Sequence, residues 1–238
     1  MRVSLMVPCF IDQYFPRVGI SVVELLERLG HEVAYPMEFA CCGQPAFNTG
    51  CWPEARVVAR RVLDLYESAE AVVAPSGSCA AMAKRFYPEL FKGEGELARA
   101  EALAAKTWEF SSFLVDHLGV TEVGAKLAGR ATFHDGCHGL RELGIADQPR
   151  RLLAEVEGLE LVEMDERETC CGFGGTFAAK FQEVSVAMAQ VKAASVARTE
   201  ADYVISNDSS CLMHLQAYFD RQRIPTKCLH LAEVLVSR

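Results

Sequence analysis

The sequence contains ACCGQP at residues 40–45 and TCCGFG at residues 169–174, two copies of a Cys-Cys-Gly tripeptide in different surroundings. One cysteine precedes each copy by about thirty residues and another follows it. Matching cysteines are offset by 128, 129 and 132 residues along the chain. The matching pairs are Cys9 and Cys137, Cys41 and Cys170, Cys42 and Cys171, and Cys79 and Cys211. Such self-similarity predicts an internal duplication into two related halves.

Short apolar runs lead to the cysteines in both halves. Val3–Val7 precedes the first cysteine and Ala71–Pro75 precedes the last cysteine of the first half, and Tyr203–Ser206 does the same in the second. Such runs, bounded by turn residues, are typical of buried strands. Between them, Val18–Leu29 has apolar residues at helical spacing. Alternating strands and helices predict an α/β fold with a mostly parallel sheet in each half.

The duplication also predicts how the chain is divided. We assign residues 1–106 to the first half, 107–126 to a linker helix and 127–238 to the second half, with a pseudo-twofold relation between the halves. Residues 92–106 are charged and rich in alanine, which predicts a surface helix. Ligands of parallel sheets bind beyond the carboxyl ends of the strands, so we expect the cysteines of each half to meet there.

Composition and charge exclude several classes of protein. The 238 residues carry a formal net charge of −8, which disfavours nucleic acid because phosphate binding needs clustered Lys and Arg. No apolar run reaches the roughly 18 residues of a membrane span, and the N-terminus lacks a signal-peptide pattern. We therefore expect a cytoplasmic protein. Its ten cysteines then point to metal binding or catalysis, since the cytosol keeps thiols reduced.

Eight of the cysteines form two matched sets of candidate metal ligands. These are Cys9, Cys41, Cys42 and Cys79 in the first half, and Cys137, Cys170, Cys171 and Cys211 in the second. Thiolate is the soft ligand that suits iron–sulfur clusters, zinc and copper(I). Adjacent cysteines diverge, which suits a cluster of several irons better than one tetrahedral ion. Zinc at one or both sites, a metal-free dithiol site and plain buried thiols remain the alternatives.

Other residues near the cysteines are candidates for binding and catalysis. Glycines after each cysteine pair permit tight turns and close approach to a cofactor. These cofactor-binding candidates are Gly43, Gly172, Gly174 and Gly175. The second half also has His134, His138 and Arg141 around Cys137, which we assign as candidate catalytic residues. Because the corresponding region of the first half is less polar, we expect the second half to be the more reactive.

The motifs as a whole resemble a known family. VPCFIDQ, EFACCGQPAFNTG and APSGSC in the first half, and FHDGCH, CCGFGG and ISNDSSC in the second, are similar to the cysteine-rich CCG domain. That domain occurs in a subunit of heterodisulfide reductase and in the iron–sulfur subunit of glycolate oxidase. The resemblance spans nearly the whole chain and is strongest to the lactate utilization protein A family.

The resemblance implies a function as well as a fold. It implies an iron–sulfur electron-transfer subunit of a multi-subunit oxidoreductase that oxidises L-lactate, or a related 2-hydroxy acid, to the 2-oxo acid. The eight cysteines would hold one or two [4Fe–4S] clusters, with zinc at one site as the alternative. Partners would be the other subunits, including a ferredoxin-type iron–sulfur protein, because this chain lacks a ferredoxin motif. A zinc-binding assembly subunit and a thiol/disulfide catalytic subunit of the heterodisulfide reductase type are the alternative functions.

One departure from the family pattern bears on the cofactor. The full motif ends in Cys-x-x-Cys and supplies five cysteines per site, but here Ser76 and Asp208 replace the penultimate cysteines. Serine and aspartate oxygens are harder ligands than thiolate. We therefore expect a conventional one-electron cluster and electron relay, in place of the non-cubane cluster and disulfide cleavage.

Overall fold

The computed structural model describes residues 1–238 and contains one four-stranded parallel sheet in each half of the chain. The first sheet has the order β2-β1-β3-β4 and the second has the matching order β6-β5-β7-β8. The strands are β1 Arg2–Leu5, β2 Glu32–Ala34, β3 Ala71–Ala74, β4 Thr107–Glu109, β5 Lys126–Phe133, β6 Glu157–Leu161, β7 Tyr203–Ser206 and β8 Lys227–His230. The predicted fold class, two similar parallel α/β halves, is confirmed.

Helices connect the strands and cover both faces of each sheet. In the first half they are α1 Cys9–Tyr14, α2 Pro16–Arg28, α3 Gln44–Asn48, α4 Trp52–Leu65, α5 Gly77–Ala81, α6 Tyr87–Leu90, α7 Leu97–Lys106 and α8 Phe110–Ser112, with π-helical turns at Met82–Phe86 and Phe113–His117. In the second half they are α9 Cys137–Leu143, α10 Asp147–Ala154, α11 Thr176–Lys180, α12 Gln182–Thr199, α13 Ser209–Gln222 and α14 Leu231–Val236.

The largest apolar core lies between the two sheets and is shared by both halves. Val3, Leu5 and Val7 point into it from the first half because alternate strand residues face the same side. Helix α2 buries Val18 and Val22 there, as its apolar spacing predicts, and α14 of the second half packs against α2. Two further cores lie on the outer faces, one in each half.

The segment assigned to a linker helix differs from the prediction at its start. Thr107–Glu109 forms strand β4, which completes the first sheet beside β3. Only three residues long, this strand is too short to show a period of its own next to the helical pattern that follows it. The limits of the two halves at residues 106 and 127 stay a prediction.

Helix α7 is the expected surface helix over residues 97–106, and it also buries one face. Ala100 and Leu103 are almost fully buried and belong to the outer core of the first half. The charged residues Arg99 and Glu101 remain on the side that faces solvent. The buried residues Ala100, Leu103 and Ala104 recur at helical spacing, so this face of the surface helix packs on the outer core.

Candidate functional site

The structure brings the four cysteines of each half together beyond the carboxyl ends of three strands. In the first half, β1 leads to Cys9, β2 to the Cys41–Cys42 pair and β3 to Cys79, which lies in α5. The Sγ atoms of Cys42 and Cys79 are 3.3 Å apart. The second half repeats this arrangement after β5, β6 and β7. All ten cysteines of the chain are free thiols.

Within each set of four, the thiols form a chain of contacts in the same order. Cys41 accepts from its neighbours Cys42 and Cys9, and these contacts hold the pKa of Cys41 far below its usual range. The hydrogen bond to Cys41 and burial raise the pKa of Cys9. Cys170 has the same role in the second half, where contacts with Cys137 and Cys171 lower its pKa. In each half the first thiol of the Cys-Cys pair is therefore the one whose pKa its neighbours lower.

Glycine makes the turn after each cysteine pair. Gly43 and Gly172 have positive φ angles of 82° and 96°, which favour a residue without Cβ. The backbone N–H of Gly43 donates to Cys41 Sγ at 3.4 Å, and that of Gly172 donates to Cys170 Sγ at 3.4 Å. Gly174 and Gly175 also have positive φ and line the cleft at the start of α11.

All eight cysteines of the two sets line one cleft between the halves. Helix α5, which carries Cys79, packs against α9, which begins at Cys137. Two glycines permit this contact, because a Cβ at Gly77 would lie 3.1 Å from the Cα of Gly139. The sequence predicted the two sets separately and did not predict that they face a common space.

Ser76 and Asp208 both line this cleft and lie next to each other. Asp208 Oδ2 accepts from the backbone N–H of Ser78 at 2.9 Å, and Asp208 Oδ1 accepts from the hydroxyl of Ser210 at 3.0 Å and from that of Ser78 at 3.2 Å. Ser76 Oγ lies 3.5 Å from Asp208 Oδ1 and accepts from the backbone N–H of Cys79. The residues that replace the fifth cysteine are thus engaged in a polar bridge between the halves.

His134 is the most unusual residue of the second site. It is fully buried, and neither ring nitrogen has a hydrogen-bond partner. One of its nitrogens and the Sγ atoms of Cys171 and Cys211 all lie within 4.8 Å of one another. Desolvation lowers the pKa of His134 to about 3, so the imidazole is neutral at pH 7. Buried polar groups normally have a partner, and a metal group held by the two thiols would supply one to this imidazole.

Two further polar side chains near the second site, Lys192 and His214, were not among the candidates selected from the sequence. Lys192 is fully buried in α12, where its ammonium donates to the carbonyl oxygens of Glu166 and Arg167. Burial lowers the pKa of Lys192 to about 8, which leaves it mostly charged at neutral pH. His214 lies one turn after Cys211, and its Nε2 is 3.3 Å from Ser185 Oγ. A lysine within an alanine-rich helix gives no sequence signal of burial.

The remaining predicted residues differ in their distance from the cleft. His138 lines it, with Nδ1 3.6 Å from Cys137 Sγ. Arg141 is exposed, donates to the Glu168 carbonyl at 3.4 Å and does not line the cleft. Cys51 lies on the surface and Cys228 outside the cleft, where burial raises its pKa to about 12.

The cleft walls carry little positive charge. Apart from the eight thiols, the polar lining residues are Gln44, Asn48, Ser76, Ser78, His138, Thr176, Asp208, Ser209 and Ser210. No Lys or Arg is among them. A small carboxylate would therefore find no permanent cation in the cleft, whereas thiolate ligands could gather a cationic metal there.

Comparison with known proteins agrees with this geometry. The family model named CCG, the cysteine-rich domain, matches residues 3–84 and again residues 131–216. The chain belongs to this family. The two matches coincide with the two halves of the structure, and each contains four of the clustered cysteines. The family resemblance predicted from the sequence is confirmed.

Full-length relatives share almost half of their residues with this chain. Lactate utilization protein A from Macrococcus caseolyticus (strain JCSC5402) is 48% identical over 99% of this chain and 96% of the relative. The protein of the same name from Geobacillus kaustophilus (strain HTA426) is 48% identical over the full length of both. Among solved structures, glutamate racemase isoform RacE1 from Bacillus anthracis is 13% identical, covering 98% of this chain and 77% of the racemase, with a TM-score of 0.37. That likeness is too distant to carry an argument.

The helices give one further finding. None of them combines the length and the apolar character needed to cross a membrane.

Proposed function

We propose that the chain binds an iron–sulfur cluster in each half and serves as an electron-transfer subunit of an oxidoreductase. The observation that carries this proposal is the assembly of two thiol sets, Cys9, Cys41, Cys42 and Cys79, and Cys137, Cys170, Cys171 and Cys211, at one cleft. A bound cluster would accept and release one electron at a time. Backbone N–H groups of Gly43 and Gly172 already donate to ligand sulfurs, the kind of contact that tunes such clusters.

The proposed cluster is a conventional [4Fe–4S] type. Four thiolates complete such a cluster, and a fused non-cubane type would need another bridging sulfur. Asp208 stands at the position of that sulfur in the second half, but its oxygens accept from Ser78 and Ser210. This engagement supports electron relay in place of disulfide cleavage at the site.

The proposed reaction of the whole complex is the oxidation of L-lactate or a related 2-hydroxy acid. Support comes from the relatives named Lactate utilization protein A. Because no Lys or Arg lines the cleft, we propose that the acid binds to another subunit. A separate ferredoxin-type iron–sulfur protein would exchange electrons with this chain. The free thiols suit a reducing compartment, and we place the protein in the cytoplasm.

One observation favours a second candidate, zinc at the second site. Zinc takes mixed cysteine and histidine ligands, and His134 lies with Cys171 and Cys211 in a compact group. In that case the chain would be a structural or assembly subunit. The first site lacks an equivalent histidine, so this candidate covers only one half.

Metal analysis separates the two candidates. Protein produced and purified without air should contain iron and acid-labile sulfide and be brown. Cys41→Ser and Cys170→Ser should each remove about half of the iron, and the exposed Cys51→Ser is the matched control that retains all of it. Stoichiometric zinc without iron in the anaerobic protein would overturn the proposal.

The role of the partners has its own test. The isolated iron-loaded chain should not reduce dyes with L-lactate, because no substrate cation lines its cleft. Addition of the remaining subunits should restore lactate-dependent reduction. Turnover of lactate by the single chain would show that the substrate site lies here after all.

A further inference from the structure

The two cysteine sets share their backbone but differ in the residues behind them. His134 follows β5 as Met6 follows β1: the His134 N–H donates to Ile205 O at 2.8 Å, and the Met6 N–H donates to Val73 O at 2.9 Å. The two acceptors occupy matching positions in β7 and β3. A buried imidazole in the second half thus replaces a buried thioether in the first.

Lys192 has an apolar counterpart as well. The buried positions of α4 and α12 match at an offset of 130 residues, and this offset pairs Lys192 with Val62, which is 3% exposed. The other matched pairs are Ala55 with Ser185, Ala59 with Ala189, and Leu63 with Ala193. Lys192 forms no salt bridge, and its ammonium donates to the carbonyl oxygens of Glu166 and Arg167. Its charge interacts more strongly with Cys171 and Cys211 than with the more distant carboxylates of Asp135 and Glu166.

The first half offers no compensating donor at these positions. Its buried Tyr87, which matches Phe219 at the offset of the last cysteines, donates its hydroxyl to the carbonyl oxygen of Cys42 at 2.8 Å and not to a sulfur. In the second half, by contrast, the backbone N–H of Phe173 donates to Cys171 Sγ at 3.5 Å. The second set of thiols therefore has one backbone donor more than the first, together with a buried imidazole and a buried ammonium whose first-half counterparts are apolar.

We propose that His134 and Lys192 raise the reduction potential of the second-half cluster above that of the first, so that an electron entering the cleft comes to rest in the second half. Reduction adds one negative charge to a cluster, and buried N–H donors and an unpaired ammonium stabilise that charge. The step would transfer one electron from a reduced first-half cluster to an oxidised second-half cluster, and no bond would form or break. The proposal rests on the proposed iron–sulfur function.

The proposal is tested by replacing the two second-half residues with their first-half counterparts. His134→Met and Lys192→Val would reproduce Met6 and Val62. The measurement is an EPR-monitored redox titration of the anaerobic full chain, after iron and sulfide have been counted in each variant. In the wild type two one-electron transitions are expected, and the one of higher potential should persist in Cys42→Ser, which disrupts the first site.

Each of the two substitutions should lower the reduction potential of the higher transition and leave that of the lower transition unchanged. We expect at least a tenfold change in the ratio of reduced to oxidised cluster at a fixed ambient potential, which corresponds to about 59 mV for one electron. Lys84→Val is the matched control, because Lys84 is a half-buried lysine that, like Lys192, donates to two carbonyl oxygens, those of Ala104 and Thr107, but in the outer part of the first half. It should shift neither transition.

The possible failures are distinct. Unshifted potentials in His134→Met and Lys192→Val, with full iron content, would overturn the inference and leave the iron–sulfur function intact. A higher potential in the first half would overturn it as well. Loss of second-half iron in His134→Met would mean that His134 is a required ligand. The redox titration of Lys192→Val alone would then decide whether the inference holds. Absence of iron from the wild type would overturn the proposed function itself.

Discussion

The two halves of this protein use the same strands, the same turns and the same four thiols, yet they surround those thiols differently. Behind the first set lie Met6, Val62 and Met82, all buried and apolar. Behind the second set the matching positions hold His134, Lys192 and His214. The backbone and the thiols have thus been kept in both copies, while the polar and charged residues around the thiols have diverged. The comparison teaches that the proposed cluster ligands and the residues proposed to tune the cluster are separate, so that each group can be changed without the other.

The largest difference between the two halves should appear when one thiol is removed from each half in turn. Cys171→Ser should reduce turnover of the assembled complex by more than about tenfold, because it disrupts the polar site. Cys42→Ser should leave about a third or more of the turnover, since the second set lines the same cleft and a partner can reach it directly. Lactate-dependent dye reduction measures both. Equal losses would mean that every electron passes through both sites.

The glycines after the cysteine pairs offer a comparison of stability. A Cβ at Gly172 would lie 2.5 Å from the backbone oxygen of Ser185, whereas the nearest atoms to a Cβ at Gly43 are 3.4 Å away. Gly43→Ala should lower the free energy of unfolding by about 1–2 kcal/mol through its left-handed backbone alone. Gly172→Ala should cost about 3 kcal/mol or more, since overpacking is added. Urea unfolding of both variants would show the difference, and equal costs would contradict it.

The helix caps at the end of each half respond to pH in opposite directions. Glu109 is the N-cap of α8, and burial raises its pKa to about 7; His230 is the N-cap of α14, and burial lowers its pKa to about 4. Between about pH 4.5 and 7 the folded state keeps a proton on Glu109 that the unfolded state releases, so stability falls as the pH rises. Between about pH 4 and 6.5 the unfolded state protonates His230 and the folded state does not, so stability rises with pH.

Single substitutions separate these two contributions. Relative to the wild type, Glu109→Gln should become more stable by up to about 3 kcal/mol as the pH is raised from 5 to 8. His230→Asn should become relatively less stable as the pH is raised from 4 to 7, by a similar or smaller amount. Urea unfolding of the metal-free chain across this pH range measures both differences. Parallel stability curves for wild type and variants would contradict the assignments.

Much of the fold could be predicted because the same order of apolar runs and cysteines occurs twice in the sequence. The apolar runs before Cys9 and Cys79 are strands, and the helical spacing of Val18–Leu29 corresponds to α2. The three-residue strand β4 could not be predicted, since its length gives no periodicity.

The site was predictable in its thiols but not in its surroundings. Spacing alone grouped the cysteines correctly in space, because parallel strands end at one edge of a sheet. The common cleft depends on the contact between Gly77 and Gly139, which are 62 residues apart and carry no pattern. Lys192 was missed because a lysine in a helix is usually exposed, and only tertiary packing encloses it.

The central core has a consequence for the order in which the protein folds. Helix α14, Leu231–Val236, packs against α2 of the first half and supplies five of the residues in the shared core. During synthesis, α2 therefore emerges from the ribosome with part of its apolar face uncovered until nearly all of these 238 residues have been made. The first half cannot complete the shared core until the second half has been made. Chaperones that bind apolar helices would bind the nascent chain during that interval.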